Sequence, residues 1–139
     1  MKNGEELMAL ARQARLGAYA PYSGFCVGAA LECADGRVFT GCNIENAAYS
    51  VTNCAERTAL FKAVSEGARE FTAIAIAGAR RGEEPDAPCA PCGVCRQALA
   101  EFCDPAVFVV YLAAGGQAVS RSTLQELLPH AFTPKNLEG

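Results

Sequence analysis

Phe25-Cys26-Val27-Gly28-Ala29-Ala30-Leu31-Glu32-Cys33-Ala34-Asp35-Gly36-Arg37-Val38-Phe39-Thr40-Gly41-Cys42-Asn43-Ile44-Glu45 reads as a β-hairpin. Val27, Ala29, Leu31 and Cys33 alternate with a second set of side chains, the period of two that a strand imposes, and Asp35-Gly36 is a tight-turn dipeptide between two arms. In the second arm, Arg37 to Glu45, the same period places Asn43 and Glu45 on one face and Cys42 and Ile44 on the other. An amide and a carboxylate are therefore expected to point together.

Outward from the hairpin, strands alternate with helices. On the N-terminal side, Asn3 and Glu6 have capping-box spacing, and Leu7, Leu10, Ala11 and Ala14 form one face of a helix expected to end near Tyr19, before Pro21. On the other side, Asn53 can cap a helix with the stripe Ala55, Ala59, Leu60, Ala63 and Val64, which Gly67 ends. Thr72 to Ala79 reads as an apolar strand and Arg80 to Ala90 as a loop. Pro91 is suited to start a helix running to about Cys103, stopped by Asp104-Pro105 ahead of a buried strand from Ala106 to Leu112. Gly115-Gly116 then turns the chain toward a short helix near Thr123 to Leu128. This order predicts an α/β fold, a mixed sheet covered by helices on both faces, in a single domain spanning residues 1–139. Sheet order does not follow from the pattern.

Composition narrows the function. With 51% hydrophobic and 19% charged residues the chain is too apolar to stay disordered. Its net charge of -3 is the wrong sign for a surface that must neutralise phosphates, which excludes nucleic acid as an expected partner. The longest apolar runs, Phe71 to Ala79 and Ala106 to Ala114, are about half the ~20 residues of a membrane-spanning helix, so no membrane partner is expected. The N-terminus lacks the apolar core of a secretory signal, and a reducing cytoplasmic setting is the expectation. In that setting clustered cysteines bind metal or do chemistry, whereas Cys26, Cys33 and Cys42, in apolar strand runs, read as small core hydrophobes.

Cys92 and Cys95 stand three apart at the start of one helix and Cys54 at the start of another, so three thiolates can converge where two positive helix ends point. Around one Zn²⁺ they leave a fourth position for water, whose pKa falls toward ~7. Glu56 is about 200° around a helix from Cys54, yet in the first turn both can reach a site near the axis, where Glu56 can handle the protons of that water. Arg57 and Arg96, each one residue beyond a cysteine, are candidates to compensate the thiolate charge. Alternatives stand beside each assignment. Glu56 can instead close a capping box with Asn53, and Cys89-x-x-Cys92-x-x-Cys95 admits a closed four-cysteine site without chemistry.

Cys54-Ala55-Glu56 with Pro91-Cys92-Gly93-Val94-Cys95 is the cysteine version of the zinc deaminase signature. Together with Tyr22 to Ala30, Gly41 to Tyr49, Cys54 to Leu60 and Cys95-Arg96-Gln97, it resembles the small free-nucleoside cytidine deaminases from about Glu5 to Phe132. The resemblance implies a three-layer α/β/α cytidine deaminase-like fold, one Zn²⁺ per chain on Cys54, Cys92 and Cys95, and Glu56 as the proton carrier for attack of activated water on C4. It implies substrate contacts from Phe25 against the base, Ala55 through its backbone, Asn43 and Glu45 on the ribose, and the neighbouring Asn46, Ala48 and Tyr49. A homotetramer is implied as well, with Ala48, Tyr49 and Phe132 at or across its interfaces. The expected substrates are cytidine and 2′-deoxycytidine, in pyrimidine salvage. Rival readings are a deaminase of a cytosine-nucleoside antibiotic, which shares both motifs, and a deaminase of nucleic acid, which the acidic, Trp-free composition disfavours.

Overall fold

The structure, a computed structural model, describes residues 1–138. Helix α1 (Gly4–Ala14) opens on its capping box, with Asn3 Oδ1 accepting from the Glu6 amide at 2.8 Å and the Glu6 carboxylate accepting from the Asn3 amide at 3.0 Å. It ends well before Tyr19, in a 3-10 turn over Arg15–Gly17. Long-range pairing takes the next residues, because the Tyr19 amide donates to Asn43 O and its carbonyl accepts from the Glu45 amide.

The hairpin forms from β1 (Phe25–Cys33) and β2 (Val38–Cys42), antiparallel, with Ala29 opposite Gly41. The second arm stops at Cys42 rather than Glu45, since Ile44 leaves the ladder to bridge Tyr19 and Asn53. Helix α2 (Ala55–Ser65) follows, then β3 (Phe71–Arg80), α3 (Gly93–Phe102), β4 (Val109–Ala113), β5 (Val119–Thr123) and the short α4 (Leu124–Leu127). The sheet order is β2-β1-β3-β4-β5, and only β3 and β4 run parallel. The mixed α/β fold expected from the sequence is the one present.

Alternation along β1 and β3 divides the core into two layers. Ala29, Leu31, Ile74 and Ile76 pack with Ala59, Leu60 and Leu99 of α2 and α3, while Ala30, Ala73, Ala75 and Ala77 face Leu7, Met8 and Ala11 of α1. Two glycines let the helices approach. A Cβ on Gly28 would sit 2.1 Å from Ala11 O, and one on Gly41 would sit 2.5 Å from the Ala59 amide nitrogen, so a side chain at either would push α1 or α2 off the sheet.

Boundaries differ from expectation where turns take up backbone groups. Asn53 is not the cap of α2, which is Cys54. Pro91 lies outside α3, whose cap is Cys92. β4 starts at Val109 rather than Ala106, because the Asp104 side chain accepts from the Ala106 amide and its carbonyl from those of Val107 and Phe108. β5 is a strand that the sequence pattern does not announce. Its residues Val119-Ser120-Arg121-Ser122-Thr123 carry little apolar signal, as befits an edge strand, and pairing with β4 defines it. Among the described residues no helix is long and apolar enough to cross a membrane.

Candidate active site

Helices α2 and α3 begin with a cysteine where a helix ordinarily takes an oxygen-bearing cap. Cys54 and Cys92 have extended backbones at these N-cap positions and cap no amide, so their sulfurs are free for other partners. Cys95, in the first turn of α3, is fully buried. The three Sγ atoms lie within 4.8 Å of one another, with Cys54 to Cys92 at 3.8 Å and Cys92 to Cys95 at 3.4 Å. Tetrahedral coordination at the usual Zn–S length separates sulfurs by about 3.8 Å, so the donor set fits Zn²⁺ in both chemistry and size.

Electrostatics concentrate on the same point. The Cys54 thiol is lowered to about 5 by its hydrogen bonds, first with Cys95 and then with Arg57 and Cys92, against the opposing effect of burial. Cys95 is raised, chiefly because its proton is shared with the Cys54 sulfur and because it is buried. Arg57 Nη2 donates to Cys54 Sγ at 3.4 Å, and its Nε is buried without a hydrogen-bond partner. Arg96 does something else: its guanidinium donates to the carbonyls of Pro91 and Leu127, both at 2.8 Å, tying α3 to α4 instead of facing sulfur.

Glu56 lies on the buried stripe of α2, only 5% exposed, among Ala55, Ala59, Leu60 and Ala63. Burial pushes its carboxyl up to about 7, with the negative Cys54 adding to the rise against hydrogen bonds from its own amide and Cys95. It closes no capping box with Asn53, whose Nδ2 donates to Thr58 Oγ1 at 3.0 Å. Position 56 falls in the buried stripe 55, 56, 59, 60, 63, whose other members are apolar. Ala55 opens α2, so its amide has no acceptor within the helix.

Cys89 stands apart from the trio. A Cβ built on Gly78 would meet Cys89 Sγ at 2.6 Å and Phe25 Cε2 at 3.1 Å, so the thiol packs against β3 beside the Phe25 ring. Burial, then the charges of Glu56 and Cys54, raise it to about 11 and keep it protonated.

The other wall is the rim made by the chain before β1 and after β2. Phe25, at the mouth of β1, is 38% exposed. Asn43 Nδ2 donates to Phe25 O at 2.8 Å, and its Oδ1 accepts from the Val27 amide at 2.9 Å, continuing the β1–β2 ladder with a side chain. Glu45 Oε1 accepts from the amides of Tyr22 and Ser23 at 2.9 and 3.1 Å, and its Oε2 from the Ser23 hydroxyl. Both polar residues thus converge on the stretch Tyr22 to Val27. Asn46 Oδ1 accepts from the Ala48 amide at 2.8 Å, shaping a loop that sets Tyr49 edge-on to Tyr22 with ring centres 5.8 Å apart. Tyr22, Ser23, Glu45, Tyr49 and Thr52 line an open cleft of about 350 Å³. Ser23 and Thr52 carry no spacing signal; only the fold reveals them. Phe132 is 59% exposed, and its carbonyl accepts from Gln97 Nε2 of α3 at 2.8 Å.

A three-layer α/β/α sandwich with three thiols at two helix N-termini and a buried carboxylic acid beside them defines the class of zinc-dependent hydrolases that act through an activated water. The family model of the cytidine and deoxycytidylate deaminase zinc-binding region matches residues 1–111. The cytidine deaminase of Sporosarcina psychrophila is 50% identical over 133 residues, 96% of this chain and 93% of that one. That of Halalkalibacterium halodurans is 54% identical over 125 residues, 90% of each chain. The crystal structure of cytidine deaminase from Burkholderia pseudomallei superposes with a TM-score of 0.84 at 48% identity, covering 94% of this chain and all of that one. The chain belongs to the cytidine and deoxycytidylate deaminase family.

Proposed function

We propose that this chain hydrolyses the exocyclic amine of cytidine and of 2′-deoxycytidine, giving uridine or deoxyuridine and ammonia. The observation that carries the reading is Glu56, a carboxylic acid held 5% exposed beside three convergent sulfurs. Cys54, Cys92 and Cys95 would hold one Zn²⁺ per chain, which would supply Lewis acidity to make water a nucleophile at neutral pH. Glu56, titrating near 7 in its buried position, takes a proton from the attacking water and delivers it to N3 of the cytosine ring, then takes the second proton from the hydroxyl now on C4 and delivers it to the departing amine as the C4 carbonyl forms. Burial keeps the carboxyl poised for both transfers. The Ala55 amide donates to the ring carbonyl, and the Phe25 ring packs on the base. Asn43 and Glu45 bind the sugar hydroxyls with the hydrogen-bonding capacity left beyond their contacts to the backbone of residues 22–27. Arg57 offsets the thiolate charge.

Tyr22 and Tyr49 at the cleft, Val51 and Phe132 are all more than half exposed, apolar surface that supports assembly as a homotetramer, with Ala48, Tyr49 and Phe132 near neighbouring subunits. The chain works as one domain, in the cytoplasm, in pyrimidine salvage. The test follows absorbance during conversion of cytidine to uridine by purified protein, before and after chelation. Conversion that stops on chelation and returns with Zn²⁺ is the expected result; absence of conversion by zinc-loaded protein overturns it. Faster turnover of a cytosine-nucleoside antibiotic than of cytidine would transfer the assignment to that substrate.

A further inference from the structure

Among the described residues, Ser23 is the one whose side chain connects the two wall elements assigned to the substrate, Phe25 and Glu45. Its hydroxyl has one proton and two lone pairs. The Phe25 amide donates to Oγ at 3.0 Å, and Oγ donates its proton to Glu45 Oε2. The direction of this chain is fixed, because an N–H only donates and an ionised carboxylate only accepts.

The amides of Tyr22 and Ser23 hold Oε1 of Glu45, and among the described residues the Ser23 hydroxyl is the side-chain donor that holds Oε2. Hydrogen bonds from Ser23 also hold the Glu45 carboxyl below its usual range, leading a set completed by the Tyr22 amide and Arg81 and opposed by slight burial. It therefore stays an acceptor, the state that suits hydroxyl donors. Glu45 and Ser23 line the same cleft, between Tyr22 and Tyr49.

We propose that Ser23 is a positioning residue that orients Glu45 toward the substrate's sugar hydroxyls and locks that carboxylate to the backbone of Phe25. The proposal rests on the reading of Glu45 as a sugar contact. Ser23 does not touch the reacting atoms; it presets an acceptor so that binding does not have to order it.

The test measures kcat and KM for cytidine and for 2′,3′-dideoxycytidine, which lacks both secondary hydroxyls, in wild type, Ser23→Ala and Ser23→Thr, each checked for zinc content. Ser23 is exposed, so both variants keep the core and the threonine methyl has room. Ser23→Ala is expected to raise KM for cytidine about 5- to 10-fold, the loss of one charge-assisted hydrogen bond, with kcat within about 2-fold. For dideoxycytidine KM stays within about 2-fold, so discrimination between the two substrates falls about 5- to 10-fold. Ser23→Thr, which keeps the hydroxyl, restores it. Equal shifts on both substrates, or no rescue by threonine, overturn the role of Ser23. A wild type that already binds both substrates equally removes the Glu45 reading itself, a result distinct from either.

Discussion

The two walls of the site are built on opposite principles. The wall of α2 and α3 reaches into the core: Ala55 and Cys95 are fully buried and Glu56 is 5% exposed, so packing fixes their positions, while Cys54 is half-buried and Cys92 exposed. The rim around Phe25, Tyr22 and Tyr49 is exposed and held by side-chain hydrogen bonds from Asn43, Glu45 and Ser23. Chemistry that needs a perturbed carboxyl belongs in the first environment, because burial is what raises its pKa. The proposed recognition of a sugar and a base suits the second, where a ligand can enter and leave.

Substitutions can break that contrast. The largest effect is expected from Glu56→Gln, which keeps the shape and removes the proposed proton carrier: kcat falls by about 10³-fold, while metal analysis still finds one zinc per chain. Unchanged turnover would remove Glu56 from the mechanism. Phe25→Ala acts on the rim and should cost about 20-fold in kcat/KM, mostly in KM, as loss of ring packing against the base. A fall confined to kcat would show that the ring serves the chemical step instead.

Arg96→Ala sharpens the division within the core wall. Its two carbonyl partners, Pro91 and Leu127, lose their donor, so urea unfolding should report about 1–2 kcal/mol less stability with zinc content unchanged. Arg57→Ala provides the contrast, since Arg57 donates to the Cys54 sulfur and its loss should weaken zinc retention against a chelator. The smallest effect belongs to Cys89→Ser, expected to keep one zinc per chain and activity within about 2-fold, because Cys89 is not among the convergent sulfurs. Loss of both would point to Cys89 as a ligand.

Much of this was legible in residue order. The period of two from Phe25 to Cys33, the Asp35-Gly36 turn, the Asn3/Glu6 box and the Cys92–Cys95 spacing are local, and local spacing acts through fixed geometries of 3.6 and 2 residues. Even the convergence of Cys54 with Cys92 was open to reading, since both precede helices. What spacing left undecided was which cysteines meet. Cys54, 38 residues from Cys92, was the expected ligand because it brings Glu56 with it, while Cys89, only three away, stayed open as a competitor. The sheet order decided between them by bringing the starts of α2 and α3 together and turning Cys89 toward Gly78.

Sequence by itself therefore determined helices α1 to α4, strands β1 to β4 with their hairpin, and the inventory of chemical groups, because each depends on neighbours within a few positions along the chain. Tertiary structure alone decided that Val119–Thr123 is a strand, that Arg57 faces sulfur and Arg96 faces carbonyls, that Glu45 is locked by Ser23, and that Glu56 is buried enough to titrate near 7. Edge pairing, desolvation and contacts across the sheet arise only when distant segments share space, and no local period encodes them.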